Sequence, residues 1–494
     1  MIADPNEKAP PATGSANNSS HEKSNGNGAG LQVTTSEENE VAGARVIDLA
    51  ALGEESAPDY FFAQNERFVV RNPAGRWLAI SAESYKRILA SRGFTTQKGK
   101  KDMSESDHII VQMQMENDIA RYGPLCGRNA GFYVENGIRH LVTESMQLIE
   151  PIKGKAPVIV AILRGLFADE NDPEISSAQG HTFLGWMQSS VRALRAGRFV
   201  QDQAMVIAGP KDCGKSLVQH LVITPCLAGR AVDGQKFFLR NNDFNSDLYR
   251  AEHITMDDCQ ASTKISDRLA FGAKLKGATV GSAVGDLHGK GKDGIAIRPW
   301  WRVSVTVNDD PEALLVLPPL NADIADKIIL LKARQFEMPM PTSNQKEREE
   351  FTAAIRAEIP AFLHFLLNEY EIPEQFRDPR RYGVATYHHP ELVELLDGLS
   401  PEKELLDLID ATLFFDPGQL AIRISAADLE TKIRERHPYR ANKLFTFSQA
   451  CGKYLHRLSQ KHPGRISKNP TNAVKLWKIN PATTKEPESD GCDG

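Results

Sequence analysis

The chain has 494 residues, 41% of them apolar and 25% charged, with 59 Lys and Arg against 64 Asp and Glu for a formal balance of −5. Those proportions exclude low-complexity and collagenous chains and suit a globular protein of about three domains. No apolar run reaches the ~18 residues a membrane-crossing helix needs, and the opening stretch is rich in Asn, Ser, Gly and Pro instead of holding a signal-peptide core, so a cytoplasmic protein with no membrane partner is expected.

In chain order, residues 1–45 lack hydrophobic periodicity and read as a disordered tail, as do residues 481–494. Residues 46–170 mix strand-like pieces (Phe68-Val69-Val70, Gly131 to Val134, His140 to Val142) with helical runs over 82–91 and 158–166, which predicts a small α+β accessory domain. A helical pattern over 182–196, with Phe183, Trp186, Met187, Val191 and Leu194 on one face, then opens a core domain spanning 171–345. Six scattered cysteines with no C-x-x-C pair argue for reduced thiols over zinc or disulfides.

The most specific string is Gly209-Pro210-Lys211-Asp212-Cys213-Gly214-Lys215-Ser216, which fits G-x-x-x-x-G-K-[ST]. It lies between the apolar run Ala204 to Ala208, a buried strand, and residues 217–227, a helix. Glycines there let backbone N–H groups converge on phosphate oxygens at a helix start. Lys215 is positioned to reach the terminal phosphates of ATP and Ser216 to offer its hydroxyl to Mg2+. Triphosphate hydrolysis also needs an acidic pair on a neighbouring strand. His253-Ile254-Thr255-Met256 runs into Asp257-Asp258, which makes Asp257 the candidate metal ligand and Asp258 the candidate for polarising water; the bland alternative is a helix cap. A third run, Arg302 to Val307, ends at Asn308, whose amide can hold the attacking water unless the stretch is simple turn chemistry. Between the second and third strands a Gly-rich segment carries Lys274, Lys276, Lys290 and Lys292. It reads as a hairpin whose lysines contact a nucleic-acid backbone, or as a loop kept soluble by charge.

The ordered set GPKDCGKS, ITMDD, a lysine-bearing hairpin and a strand ending in Asn308 resembles the superfamily 3 helicases of viruses, phages and plasmids. Residues 127–308 are similar to the helicase part of phage and mobile-element primase-helicases, including that of a deep-sea vent phage primase-polymerase. The resemblance covers roughly residues 120–420. It implies an α/β, AAA+-like P-loop NTPase core with a parallel sheet, assembled as a homo-hexamer that hydrolyses ATP between subunits and pulls single-stranded DNA through its centre. It also implies a cation donated in trans to the terminal phosphate; Lys327 and Arg334 are the candidates, with Arg334 preferred for its planar fork, although family members place an arginine earlier. No upstream polymerase module is legible, so a separate primase or polymerase is the expected partner.

Residues 346–420 read as a helical extension. Between Thr431 and Asn480 twelve basic residues face one acid, Glu435, a local balance of +11 that leaves −16 elsewhere. Helices at 425–434 and 446–459 followed by two strand-like pieces predict a winged-helix-like DNA-binding module over 421–480. His388-His389 reads as a surface loop without metal. Together these features point to an ATP-dependent DNA helicase acting on single-stranded and fork DNA. The alternative is a nucleotide-gated initiator or defence-associated ATPase without unwinding. A small-molecule kinase would leave the hairpin and basic region without purpose.

Overall fold

The computed structural model describes residues 45–47, 58–98, 103–135, 137–239, 245–257, 259, 264–280, 285–287, 295–380, 382–415, 419–469 and 476–482. Its centre is a wholly parallel sheet of five strands: β1 (Ala204–Ala208), β2 (Ala231–Asp233), β3 (His253–Met256), β4 (Arg302–Val307) and β5 (Ile328–Lys332). Their spatial order is β2-β3-β4-β1-β5. A parallel sheet is covered on both faces, which is why β1 and β5 are almost unbroken apolar runs. Met205, Ile207, Ile329 and Leu331 point into a cluster shared with helices Pro157–Leu166, Pro173–Arg195 and Gln345–His364. Their neighbours Val206, Val303, Val305 and Leu330 point the other way, against helices Ile265–Val280 and Pro390–Gly398.

Helix Pro157–Leu166, placed by sequence in the N-terminal domain, therefore belongs to the sheet's own core. Its buried Ile159, Ile162, Leu163 and Leu166 have their apolar partners there. The region before it forms two four-stranded sheets, one built from Tyr60–Phe62, Arg67–Arg71, Trp77–Ile80 and Asp118–Ile119, the other from Arg45–Ile47, Arg121–Gly123, Gly131–Glu135 and Ile138–Val142. This part docks at the N-terminal ends of the core strands. Cys126 N donates to Tyr249 O (2.8 Å), and Gly127 N to the buried carboxylate of Glu252, just before β3 (2.9 Å). A side chain at Gly127 would come within 2.6 Å of Trp300 Cβ, so the close approach requires glycine.

The outer edge of β5 is closed by residues 387–389: Leu330 N donates to Tyr387 O and His389 N to Leu330 O, both at 2.9 Å. His388 is thereby held by the carbonyls of Ala325 and Ile328, and His389 is 2% exposed. The expected surface loop is instead an edge cover, which satisfies backbone groups that would otherwise stay open.

At the C-terminal side, strands Ile422–Ser425, Ile466–Asn469 and Leu476–Ile479 form a three-stranded antiparallel sheet with Leu476–Ile479 in the middle. Helices Ala426–Arg436, Pro438–Leu444 and Ala450–Lys461 intervene in sequence between the first two strands. Pro438–Leu444 was not predicted, because seven residues opened by proline carry too little periodicity to read. Helix Pro401–Leu413, expected within the helical extension, gives Leu405, Leu408 and Ile409 to this module's core and is part of it. Among the described residues no helix is long and apolar enough to cross a membrane.

Candidate nucleotide and nucleic-acid sites

β1 ends at Ala208, and the chain turns through Gly209–Ser216 into helical residues 215–226. Gly209 is demanded by its neighbour: a Cβ there would lie 2.5 Å from the carbonyl oxygen of Ala333, whose own N–H bonds to Ala208 O. Gly214, at φ 101°, takes the left-handed turn that brings the loop over the helix start. Lys215, only 7% exposed, donates to the carbonyls of Gly209 (2.8 Å) and Pro210 (2.6 Å) and lies 3.3 Å from Asn308 Oδ1. All three are neutral oxygens, and among the described residues no carboxylate forms an ion pair with the ammonium. That is the electrostatic condition for receiving an anion.

Asp257 follows β3 directly. Its Oδ1 accepts from Ser216 Oγ (2.8 Å) and from Thr306 Oγ1 at the end of β4, while His220 Nε2 stands 3.7 Å from Oδ2. A hydroxyl and a carboxylate converging beside a lysine form a hard-oxygen set of the kind Mg2+ takes. The acidic strand is not the neighbour of β1 as expected; β4, the strand carrying Asn308, lies between them. Asp257 still meets Ser216 because the helix after the loop lies across the face of β4. A wide π turn over Val218–Ile223 in that helix buries Gln219 against Ser304, whose O and Oγ accept at 3.1 and 2.8 Å.

Strand β4 carries a polar residue at every second position on the face of that helix. Arg302 pairs with buried Asp202; Ser304 meets His253 Nε2 (2.7 Å) and Gln219; Thr306 meets Asp257; Asn308 meets Lys215. His253 Nδ1 is 2.7 Å from Thr224 Oγ1. Burial, with help from His220, pushes the His253 imidazole down to about 3, so it stays neutral among hydroxyls. Thr306, Ser304, Gln219 and His220 were missed by sequence reasoning. The alternation Ser304, Thr306, Asn308 with valine at 303, 305 and 307 between them was the signal available for the first two, since period two puts them on one face.

The remaining predicted residues divide. Asp258, Lys290 and Lys292 lie outside the described residues. Lys274 and Lys276 are on helix Ile265–Val280 and not at a hairpin base. Lys274 Nζ donates to Phe237 O (2.7 Å) over the Phe237 ring, which makes it a packing tie, while Lys276 is exposed. Strands Gly285–Leu287 and Ile295–Ile297 do pair antiparallel as a hairpin. The helix that precedes them ends near the start of β1, with Thr279 O accepting from Asp202 N, and the second hairpin strand leads into β4, so the hairpin leaves the end of the sheet opposite the phosphate loop.

Lys327 is 5% exposed, precedes β5 at that same far end, and pairs with Asp326. It therefore stands away from the phosphate loop of its own chain. Arg334 lies past the other end of β5, beside the loop of its own chain. Its backbone N donates to Leu166 O (3.0 Å) and its guanidinium pairs with Glu170.

The C-terminal charge is also redistributed. Arg457 pairs with Glu402, Arg440 with Glu404, Arg465 with Asp410, Lys461 with Asp397 and Arg434 with Glu430. All five acids lie before Thr431, outside the basic window. Over residues 401–480, which contain the whole module, the balance is +6 and not +11.

No protein-family model matches the chain, and no curated protein matches it. Among solved structures, the apo A form of the NrS-1 C-terminal region aligns at 11% identity with a TM-score of 0.48, over 86% of this chain and 96% of its own. SCCmec type IV Cch, an active helicase, aligns at 10% identity and a TM-score of 0.28, over 83% and 73% of the two chains. The JCV helicase aligns at 13% identity and 0.24, over 51% and 61%.

Proposed function

We propose that this chain is an ATP-hydrolysing motor acting on DNA, a helicase of superfamily 3 type. It would work as a homo-hexameric ring on single-stranded DNA at a fork, with priming supplied by a separate primase or polymerase. The observation that carries the reading is the meeting of Lys215, Ser216, Asp257 and Asn308 at one end of a parallel sheet. Lys215 and the N–H groups of the Gly209–Ser216 loop would hold the phosphates of ATP, and Ser216 with Asp257 would hold Mg2+. The bound Mg-ATP supplies a phosphoanhydride bond whose cleavage releases the free energy used. The chain's own part is positional. Thr306 fixes one carboxylate oxygen of Asp257, the Asn308 amide orients the attacking water, and Asp258 accepts its proton. Residues 421–480 would act as a winged-helix-like DNA-binding module, in keeping with their strand, three-helix, two-strand order.

Replacing Lys215 by Ala tests the site. DNA-stimulated ATPase should fall by about two to three orders of magnitude while circular dichroism and thermal unfolding stay as in the parent; unchanged turnover rejects the reading. The second reading, an ATPase in which nucleotide only organises an assembly on DNA, is favoured by one observation: Lys327 is buried and Arg334 is paired with Glu170, so neither is poised to act in trans. Displacement of a labelled strand from a fork separates the two.

A further inference from the structure

The ion pairs of the C-terminal module leave a small set of cations outside the carboxylate network, and three of these sit on exposed aromatic rings: Arg436 over Phe415, and two more that lie close together in the chain. Tyr439 is 72% exposed, and Lys443 Nζ, one helical turn later, lies 4.5 Å from its ring centroid. Phe447 is at the surface in the turn that follows, and Lys453 Nζ lies 5.0 Å from its ring. Neither lysine has a carboxylate partner among the described residues. Single exposed apolar side chains are ordinary on protein surfaces. Here there are two rings, each under an unneutralised cation, within nine positions of sequence. Lys443 and Phe447 are four residues apart, so their Cα atoms are at most ~14 Å apart. Both are placed by buried neighbours: Leu444 and Phe445 anchor the chain between them, and the Phe447 ring packs edge-on against buried Tyr454.

We propose that Tyr439, Lys443, Phe447 and Lys453 form a stacking platform for single-stranded nucleic acid, separate from any duplex contact of this module. Each ring offers a face to an unpaired base, and each lysine, now resting on the ring, swings to the adjoining phosphate. A duplex does not fit the same chemistry, because its bases already stack on each other and only its phosphates would remain to be read. The occupant is chosen by that pairing of flat apolar faces with isolated positive charge. An acidic peptide would use the lysines and leave the rings idle.

The test uses the full chain without nucleotide, so that it does not depend on the phosphate loop, and a fluorescent oligo-dT of about 12 nucleotides. Tyr439→Ala and Phe447→Ala should each weaken binding about tenfold, while Tyr439→Phe and Phe447→Trp, which keep the ring, should retain it. Lys443→Ala with Lys453→Ala should lower the slope of log affinity against log salt by about 1.4. An oligo-dT carrying 5-iodouracil should photocrosslink to the peptide holding Tyr439 or Phe447. Equal loss on a duplex, no loss in the alanine variants, or crosslinks only elsewhere would overturn the platform. None of those outcomes touches the ATPase reading, which Lys215→Ala tests alone.

Discussion

At the loop end of the central sheet a lysine is held by neutral oxygens, with no ion-pair partner among the described residues, whereas in the C-terminal module five cations are matched by carboxylates. Both regions attract attention in the sequence because of positive charge. They differ in where the neutralising groups come from. Around Lys215 two of the three oxygen partners are the loop's own carbonyls, fixed by a string of eight residues, and the third is the neutral amide of Asn308, so a count of local charge does not mislead there. In the C-terminal module the partners come from Asp397, Glu402, Glu404, Asp410 and Glu430, upstream of the basic window, and a count along the chain overstates the field that a polyanion would meet.

The largest effect expected from this contrast is at Lys215. Because its described partners are all neutral, Lys215→Ala removes a positive charge from the phosphate end, and the loss of about two to three orders of magnitude in turnover follows. If the loss were instead only a few-fold, the loop lysine would be no more important than a surface one, and the two regions would not differ in kind. Thr306→Val sharpens the same point at smaller scale. It keeps shape, removes one hydroxyl donor from Asp257, and should lower turnover about tenfold, the effect of one hydrogen bond of ~1.4 kcal/mol to a charged group, with nucleotide binding little changed in a fluorescent-nucleotide titration.

What was legible follows the same division. The loop, the strand Ala204–Ala208 before it, the strand His253–Met256 and the strand leading to Asn308 could all be read, because each is a contiguous run whose residues match one local geometry. Of their order, only the place of the Asn308 strand beside β1 could be read. That β4 separates β1 from β3 depends on long-range packing, and with it the polar ladder Ser304, Thr306, Asn308 acquires its partners. Lys327 was a candidate because its segment follows Asn308 at a suitable distance in the chain. It stands at the start of β5, which runs parallel to β1, and so lies away from the loop of its own chain, a position that only the strand pairing reveals. The short helix Pro438–Leu444 and the transfer of Pro401–Leu413 into the C-terminal core are tertiary facts with no local signal.

The ladder gives a pH prediction. His253 is neutral in the fold and held down to about 3, while in the unfolded chain it titrates near 6.5. The unfolded state therefore binds more protons between those values. The stabilisation is fully present above about pH 6.5 and is lost as pH falls toward 3, with a slope approaching 1.4 kcal/mol per pH unit. Denaturant midpoints taken at stepped pH below neutrality should show that slope, and His253→Gln should reduce it by about one proton's worth. A slope unaltered by the substitution would mean the imidazole is already charged in the fold, and that the loop end is less isolated from compensating charge than the comparison requires.

The C-terminal half of the contrast is tested by unmasking. Glu402→Gln, Glu404→Gln and Asp410→Asn together free Arg457, Arg440 and Arg465. DNA affinity should rise several-fold at low salt, and the salt slope on duplex should steepen by up to about 2.7 as three more cations meet phosphates. No change would show that these cations face away from the bound polymer and that the pairs are purely structural.

The smallest effect separates those roles. Arg440 and Glu404 are both well exposed and their nitrogen and oxygen atoms approach to 2.7 Å, so a double-mutant cycle on stability should return only about 0.5 kcal/mol. If the pair adds so little to folding yet Glu404→Gln alone measurably raises DNA affinity, the carboxylate acts mainly to hold the cation in check until phosphate competes for it. If instead the cycle returned several kcal/mol and DNA affinity stayed fixed, the pair would be a strut, and the module's positive charge would belong to its architecture and not to its partner.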